Sequence, residues 1–136
     1  RRLDHTGGVD AVIEGFTRRF EAAIEGLHHH PEDIALGRVC SLIEPGGFVH
    51  EHNDEYPKGS GFEGKGHLRA NIVVQIDPSS CPVIGGERLD VSERDAWVFL
   101  ASHSQHATGT VIGPASRIVF GFGWTVPGDF RLAPAQ

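Results

Sequence analysis

The side chains best placed to do chemistry together lie in the stretch Gly46-Gly47-Phe48-Val49-His50-Glu51-His52-Asn53-Asp54-Glu55. An imidazole and a carboxylate stand two positions apart, at His52 and Asp54. In an extended strand, residues i and i+2 share a face and sit roughly 6.5–7 Å apart, so both can lean onto one metal ion. Such a pair holds one edge of a coordination sphere and needs a third ligand. The segment Ser102-His103-Ser104-Gln105-His106-Ala107-Thr108 offers one at His106. Two imidazoles and one carboxylate on one side of a cation leave the opposite positions open for other ligands. His50 competes with His52, since both share a strand face with Asp54, and His103 competes with His106.

Two further stretches alternate in a way that gives each strand two distinct faces. Along 67–76, Leu68, Ala70, Ile72, Val74 and Ile76 share one side, and His67, Arg69, Asn71, Val73 and Gln75 the other. Along 117–124, Ile118, Phe120, Phe122 and Trp124 oppose Arg117, Val119, Gly121 and Gly123. A face that combines one guanidinium with small residues either abuts another backbone or leaves room for a ligand.

The elements that must position these groups are short. Candidate strands are 38–43, 48–54, 67–76, 87–91, 96–102, 106–111 and 117–125, separated by Gly/Pro/Ser/Asp turns. Many short strands at this spacing predict a sandwich or jelly-roll. Ahead of them, residues 8–27 read as an amphipathic helix, with Val9, Val12, Ile13, Phe16, Phe20, Ala23, Ile24 and Leu27 on one face. Its natural role is to pack on the sheet. The triple His28-His29-His30 before Pro31 reads as a solvated loop at the helix end. Residues 58–66 hold four glycines in nine and read as a loop beside the metal pair, with a lid as one use. Residues 127–136 read as a polar tail without pattern.

Composition bounds the rest. The chain has 136 residues, 39% of them hydrophobic, which fits one folded domain over 1–136 with a β core at about 38–126. The formal charge is −6 and no Lys/Arg-rich tract appears, so no nucleic-acid footprint is expected. No apolar run approaches the ~18–20 residues of a membrane span. A chain that opens on Arg1 leaves any upstream targeting signal unread. Cys40 and Cys81 sit in no metal spacing and read as free thiols, which points to a cytoplasmic setting.

The order His52-x-Asp54, then His106, then Arg117 eleven positions later on a β-run, resembles the Fe(II)/2-oxoglutarate-dependent oxygenases. The likeness spans about Gly46 to Pro127. Leu68-Arg69-x-Asn71, the run Ala96-Trp97-Val98-Phe99 leading to Ser104-Gln105-His106, and Arg117-Ile118-Val119-Phe120 look like the branch containing aspartyl/asparaginyl β-hydroxylases and prolyl hydroxylases. The resemblance implies a mainly β fold, a double-stranded β-helix (jelly-roll, cupin-like) with an N-terminal packing helix. It implies His52, Asp54 and His106 as ligands of Fe(II), and Arg117 as partner of the distal carboxylate of 2-oxoglutarate. A planar guanidinium matches a carboxylate and keeps its charge when buried. It further implies hydroxylation of an unactivated C–H in an amino acid, peptidyl residue or related small molecule, with O2 consumed and 2-oxoglutarate converted to succinate and CO2.

Two positions depart from that branch. Asp54 supplies a carboxylate which the branch often lacks, and Asn71 stands where it tends to carry a histidine. Arg69 and Asn71 are therefore candidate contacts to 2-oxoglutarate or substrate, and Tyr56 and Trp124 candidate substrate walls. The rival readings are a cupin-type centre built from His50, His52, Glu55 and His106, and a jelly-roll binding module without turnover. Cupins give no task to Arg117, and the Pro-x-Gly of their second motif is missing where Asp95-Ala96-Trp97-Val98 stands.

Overall fold

The computed structural model describes residues 10–28 and 37–133. The helix α1 spans Asp10–Ala23. Eight strands follow: β1 Arg38–Ile43, β2 Val49–His52, β3 Gly66–Gln75, β4 Pro82–Ile84, β5 Glu87–Arg88, β6 Ala96–Leu100, β7 His106–Thr108 and β8 Arg117–Val126. They form two four-stranded sheets, ordered β1-β8-β3-β6 and β2-β7-β4-β5, with every pairing antiparallel. The chain passes repeatedly from one sheet to the other, which is the winding of a jelly-roll.

The long strands β3 and β8 lie side by side through nine paired positions, Gly66↔Val126 to Gln75↔Ile118, with a register shift between Val73 and Gln75. Because side chains alternate, the pairing adds Leu68, Ala70 and Ile72 of β3 and Phe120, Phe122, Trp124 and Val126 of β8 into one apolar face, whereas Val74, expected on that side, lies past the register shift and is 42% exposed. Helix α1 covers that face. Ile13 and the succeeding Leu27 are buried with Leu68, Ala70, Phe122, Trp124 and Val126, and Phe16, Phe20 and Ile24 pack around them. Phe20 meets Phe122 and Trp124 at ring separations of 5.7 and 5.9 Å, within the range of favourable tilted contacts. Trp124 Nε1–H donates to Glu21 Oε1 at 3.1 Å, and Arg38 pairs with Glu14 at 2.5 Å, so polar contacts flank the apolar seam.

Several boundaries differ from the sequence-based expectation. The helix ends at Ala23, four residues early, and the chain turns at Gly26 with φ +79°, a conformation that suits glycine after a helix end. Leu27 still reaches the core from that turn. Val12, expected on the buried face, is 56% exposed, and Val9 lies outside the described residues. Of the histidine triple, His28 is exposed and the other two also lie outside the described residues.

The expected strand 48–54 shortens to Val49–His52, so Asp54 lies beyond the strand end. Strand β4 was not expected. It begins at Pro82, which has no N–H to give a ladder, and closes a hairpin through Gly85-Gly86, both at positive φ as a two-residue turn requires. The expected strand 87–91 keeps only Glu87–Arg88. The expected patternless tail is partly core: Phe130 and Leu132 pack against the helix-side cluster. Cys40 and Cys81 form no disulfide. Among the described residues, no helix is long and apolar enough to cross a membrane.

Candidate metal centre

Three side chains from two distant parts of the chain, His52 and Asp54 from one and His106 from the other, meet between the sheets. His52 ends β2 and lies directly across from His106 on β7, with the two Cα positions paired. Their rings stand 4.3 Å apart as cross-strand neighbours. Asp54 arrives differently. Its backbone N–H donates to Ala101 O at 2.9 Å, and Ala101 N–H donates to His67 O at 2.8 Å. The residue is thereby tied to the end of the opposite sheet, and its carboxylate faces both imidazoles. His52 Nε2 lies 3.5 Å from Asp54 Oδ1, and His106 Nε2 lies 3.7 Å from Asp54 Oδ2. One donor atom from each residue lies within 4.8 Å of the others. Metal bonds of about 2.0–2.2 Å place adjacent ligand atoms roughly 3.0–3.6 Å apart, so the cluster is at or slightly beyond coordinating size.

The hydrogen bonds around the imidazoles decide which nitrogen faces the centre. His52 Nδ1 is 2.7 Å from His50 O, and His106 Nδ1 is 2.9 Å from Ser104 O. A carbonyl oxygen only accepts, so each Nδ1 carries the proton. Each Nε2 is then left with its lone pair toward Asp54, the tautomer a metal ligand needs. Burial lowers the His106 pKa from its ordinary value and favours the neutral ring. The Ser104 carbonyl and Asp54 pull the other way, and His52 and Arg69 add to the lowering. Phe99 meets the His106 ring edge-on at 4.9 Å and holds it in place. Asp54 Oδ2 is buried and makes no hydrogen bond, although Arg69 Nη2 stands 3.0 Å away. A buried carboxylate oxygen without a hydrogen bond, facing the His106 lone pair while its partner oxygen faces that of His52, fits a cation ligand.

The centre opens onto a cavity of about 160 Å³. Its walls carry His52 and His106 at one end, Arg69, Asn71 and Arg117 from β3 and β8, and Val49, Ile84, Trp97 and Phe99 around them. Gly121 and Val119 give the floor its depth: a Cβ on Gly121 would lie 3.0 Å from Asn71 Oδ1. Arg117 is 4% exposed, and its Nε–H donates to Ser80 O at 3.1 Å. Burial pulls its pKa below the ordinary value, with Cys81 acting in the opposite sense. A guanidinium nonetheless keeps its proton in proteins, so the cavity contains a fixed positive charge.

The structure thus brings His52, Asp54, His106, Arg69, Asn71 and Arg117 to one place. It does not bring Trp124 there. Trp124 is 1% exposed in the helix-side core, because its parity on β8 is that of Phe122 and not of Arg117. Tyr56 does not line the cavity either. It stacks on His67 at 5.8 Å, and its hydroxyl lies 2.6 Å from Thr125 Oγ1. The four-ligand alternative is not assembled: His50 is exposed with its ring against Phe48, and Glu55 is exposed. His103 is exposed and bonded to the Ser102 hydroxyl at 2.7 Å. Sequence reasoning missed Trp97 and Phe99 as walls. The signal was parity on β6 together with the pairings Phe99↔Arg69 and Trp97↔Asn71, and pairing is not written in a single strand.

The fold is a jelly-roll, and its two imidazoles and one carboxylate form a cluster that could hold a metal ion. No protein-family model and no curated protein sequence matches the chain. It is similar to the solved structure of KdgF from Halomonas sp., with 22% identity and a TM-score of 0.47 over 75% of this chain and 76% of that one. It is similar to a Pseudomonas putida prolyl-4-hydroxylase at 18% identity and TM-score 0.49, covering 66% of this chain and 51% of the hydroxylase. It is also similar to the plu4264 protein of Photorhabdus luminescens at 17% identity and TM-score 0.45, covering 64% of this chain and 60% of that one. The jelly-roll assignment rests on the strand order itself.

Proposed function

We propose that the chain is an Fe(II)- and 2-oxoglutarate-dependent oxygenase that hydroxylates an unactivated C–H of an amino acid, peptidyl residue or related small molecule. The observation that carries this reading is a pairing of opposites in one cavity. A His-Asp-His cluster of ligand type stands at one end, and a buried guanidinium, Arg117, lines the same space. When bound, Fe(II) with 2-oxoglutarate and O2 supplies the oxidising chemistry and yields succinate and CO2. His52 and His106 supply the neutral Nε2 donors, oriented by the His50 and Ser104 carbonyls. Asp54 supplies the anionic donor. Arg117 receives the distal carboxylate of the diacid, for which its planar fork is suited. Trp97, Phe99 and Val49 give the cavity apolar walls beside the charged groups.

The test is a succinate-release screen of the Fe(II) protein against free amino acids, peptides and small natural products. One class is expected to stimulate release above the uncoupled rate. Anaerobic addition of 2-oxoglutarate to the Fe(II) form is expected to give a weak visible charge-transfer band, and Arg117→Ala to weaken that titration at least tenfold. No band and no stimulated release would overturn the reading in favour of a binding module.

A further inference from the structure

The cation nearest to Asp54 in this fold belongs to the protein. Arg69 Nη2 lies 3.0 Å from Asp54 Oδ2, the buried oxygen that also faces His106 Nε2 at 3.7 Å. The contact falls on the oxygen that a metal in the cluster would use. Arg69 is held there by β3, whose pairing with β6 and β8 on both sides leaves its backbone no freedom to withdraw. Its Nε is buried without a hydrogen-bond partner, so the ion pair with Asp54 is its one strong contact among the described residues. Arg117 adds a second guanidinium to the same cavity, and among the described residues no Asp or Glu lines it. One carboxylate against two guanidiniums leaves one net positive charge, and a divalent cation would raise it to three. Unbalanced charge in a partly buried site is strongly unfavourable.

We propose that Arg69 makes metal binding conditional: the centre takes a divalent cation weakly alone and tightly only with an anionic co-ligand that draws Arg69 off Asp54. The inference rests on the metal reading above and assigns Arg69 as a positioning residue, acting through Asp54. A diacid can offer one carboxylate to Arg117 and the other to Arg69, which releases Asp54 Oδ2 to the cation. Thermodynamic reciprocity then requires the metal to tighten diacid binding by the same factor. A chain with Asp54 but a neutral residue at 69 would hold its metal without help.

The experiment is a calorimetric titration with Mn(II), which binds such sites without turnover, at pH 7.5 with and without 2-oxoglutarate. For the unaltered chain, 2-oxoglutarate is expected to tighten Mn(II) binding by tenfold or more. Arg69→Gln, polar but neutral, is expected to bind Mn(II) alone at least tenfold more tightly and to lose most of the coupling. Arg69→Lys is expected to restore weak binding of Mn(II) alone. Circular dichroism checks that each variant is folded. If Arg69→Gln binds Mn(II) no more tightly than the unaltered chain, the inference falls, whatever the fate of the metal site. If the unaltered chain binds no Mn(II) with or without 2-oxoglutarate, or if His106→Ala binds it equally well, the metal reading itself falls.

Discussion

The two faces of the β1-β8-β3-β6 sheet are built from the same strands and are buried to similar degrees, yet they do opposite things. On the helix side, Leu68, Ala70, Phe122 and Trp124 pack with Ile13, Phe16 and Phe20 into an apolar layer. On the inner side, the intervening residues Arg69, Asn71, Arg117 and Gly121 line a cavity. Arg117 at 4% exposed is nearly as covered as Trp124 at 1%. Burial therefore does not distinguish core from site. What distinguishes them is whether the buried groups have answered their own demands. Trp124 has a ring partner and a hydrogen-bond acceptor. Arg117 has one carbonyl and, among the described residues, no carboxylate within ion-pair distance. The helix side also carries a guanidinium, Arg38 in register with Phe122, but there Glu14 answers its charge, whereas the charge of Arg117 is left for a ligand, which marks the inner face as the working one.

The comparison can be broken from either side. Phe122→Ala removes a ring from the helix-side layer and is expected to lower stability by about 3–5 kcal/mol in urea denaturation. Metal affinity of the folded fraction should stay within about twofold if the faces are independent. His106→Ala is expected to do the reverse. Since loss of supporting partners alone costs 10–100-fold in metal affinity, loss of the ligand should cost about a hundredfold or more by calorimetry. Stability without metal should change by less than about 1 kcal/mol, because the residue is not part of the apolar layer.

Smaller effects sharpen the contrast. Gly121→Ala places a methyl 3.0 Å from Asn71 Oδ1 and 3.1 Å from Val39 Cγ2, so the floor must yield by a few tenths of an ångström. A loss of about 1–3 kcal/mol is expected, with weakened diacid binding, read by thermal melting and titration. Arg117→Met is expected to raise the melting temperature of the metal-free protein slightly, since it removes a desolvated charge, while abolishing diacid capture. A fall in melting temperature would mean that the Ser80 contact outweighs the burial cost.

The smallest effect is on pH. Burial lowers the His106 pKa in the folded chain, so the unfolded chain takes up this proton first as pH falls. The neutral ring's contribution is thus complete above the ordinary imidazole value of ~6.5 and is lost as pH falls through the lower folded value. Denaturation midpoints of the metal-free protein should decline below that range, and His106→Gln should flatten part of the decline. Metal affinity should fall over the same range, because protons compete with the metal for the His106 ring. A flat profile to pH ~5 would exclude imidazole ligation.

Most of the pattern that builds the site was legible residue by residue. The ligand types at His52, Asp54 and His106, the parity of β3 and β8, and the helix with its Phe16 and Phe20 anchors all follow from local rules of period and chemistry. What stayed hidden was which segment lies next to which. Trp124 was assignable to a face but not to a partner, and only the helix packing showed that its face was the core. Asp54 read as the end of a strand, whereas the backbone bond to Ala101 carries it across to the other sheet.

The chain alone determined its alternation, its breaks at glycine and proline, and its stock of ligands and guanidiniums. Side-chain direction along a strand repeats every two residues and needs no distant partner to be known. Only the folded structure decided that β2 lies against β7, that His52 faces His106, and that Arg69 reaches Asp54. Those contacts join residues up to 59 positions apart, and they are set by how two sheets close over one interior. No local preference carries that information.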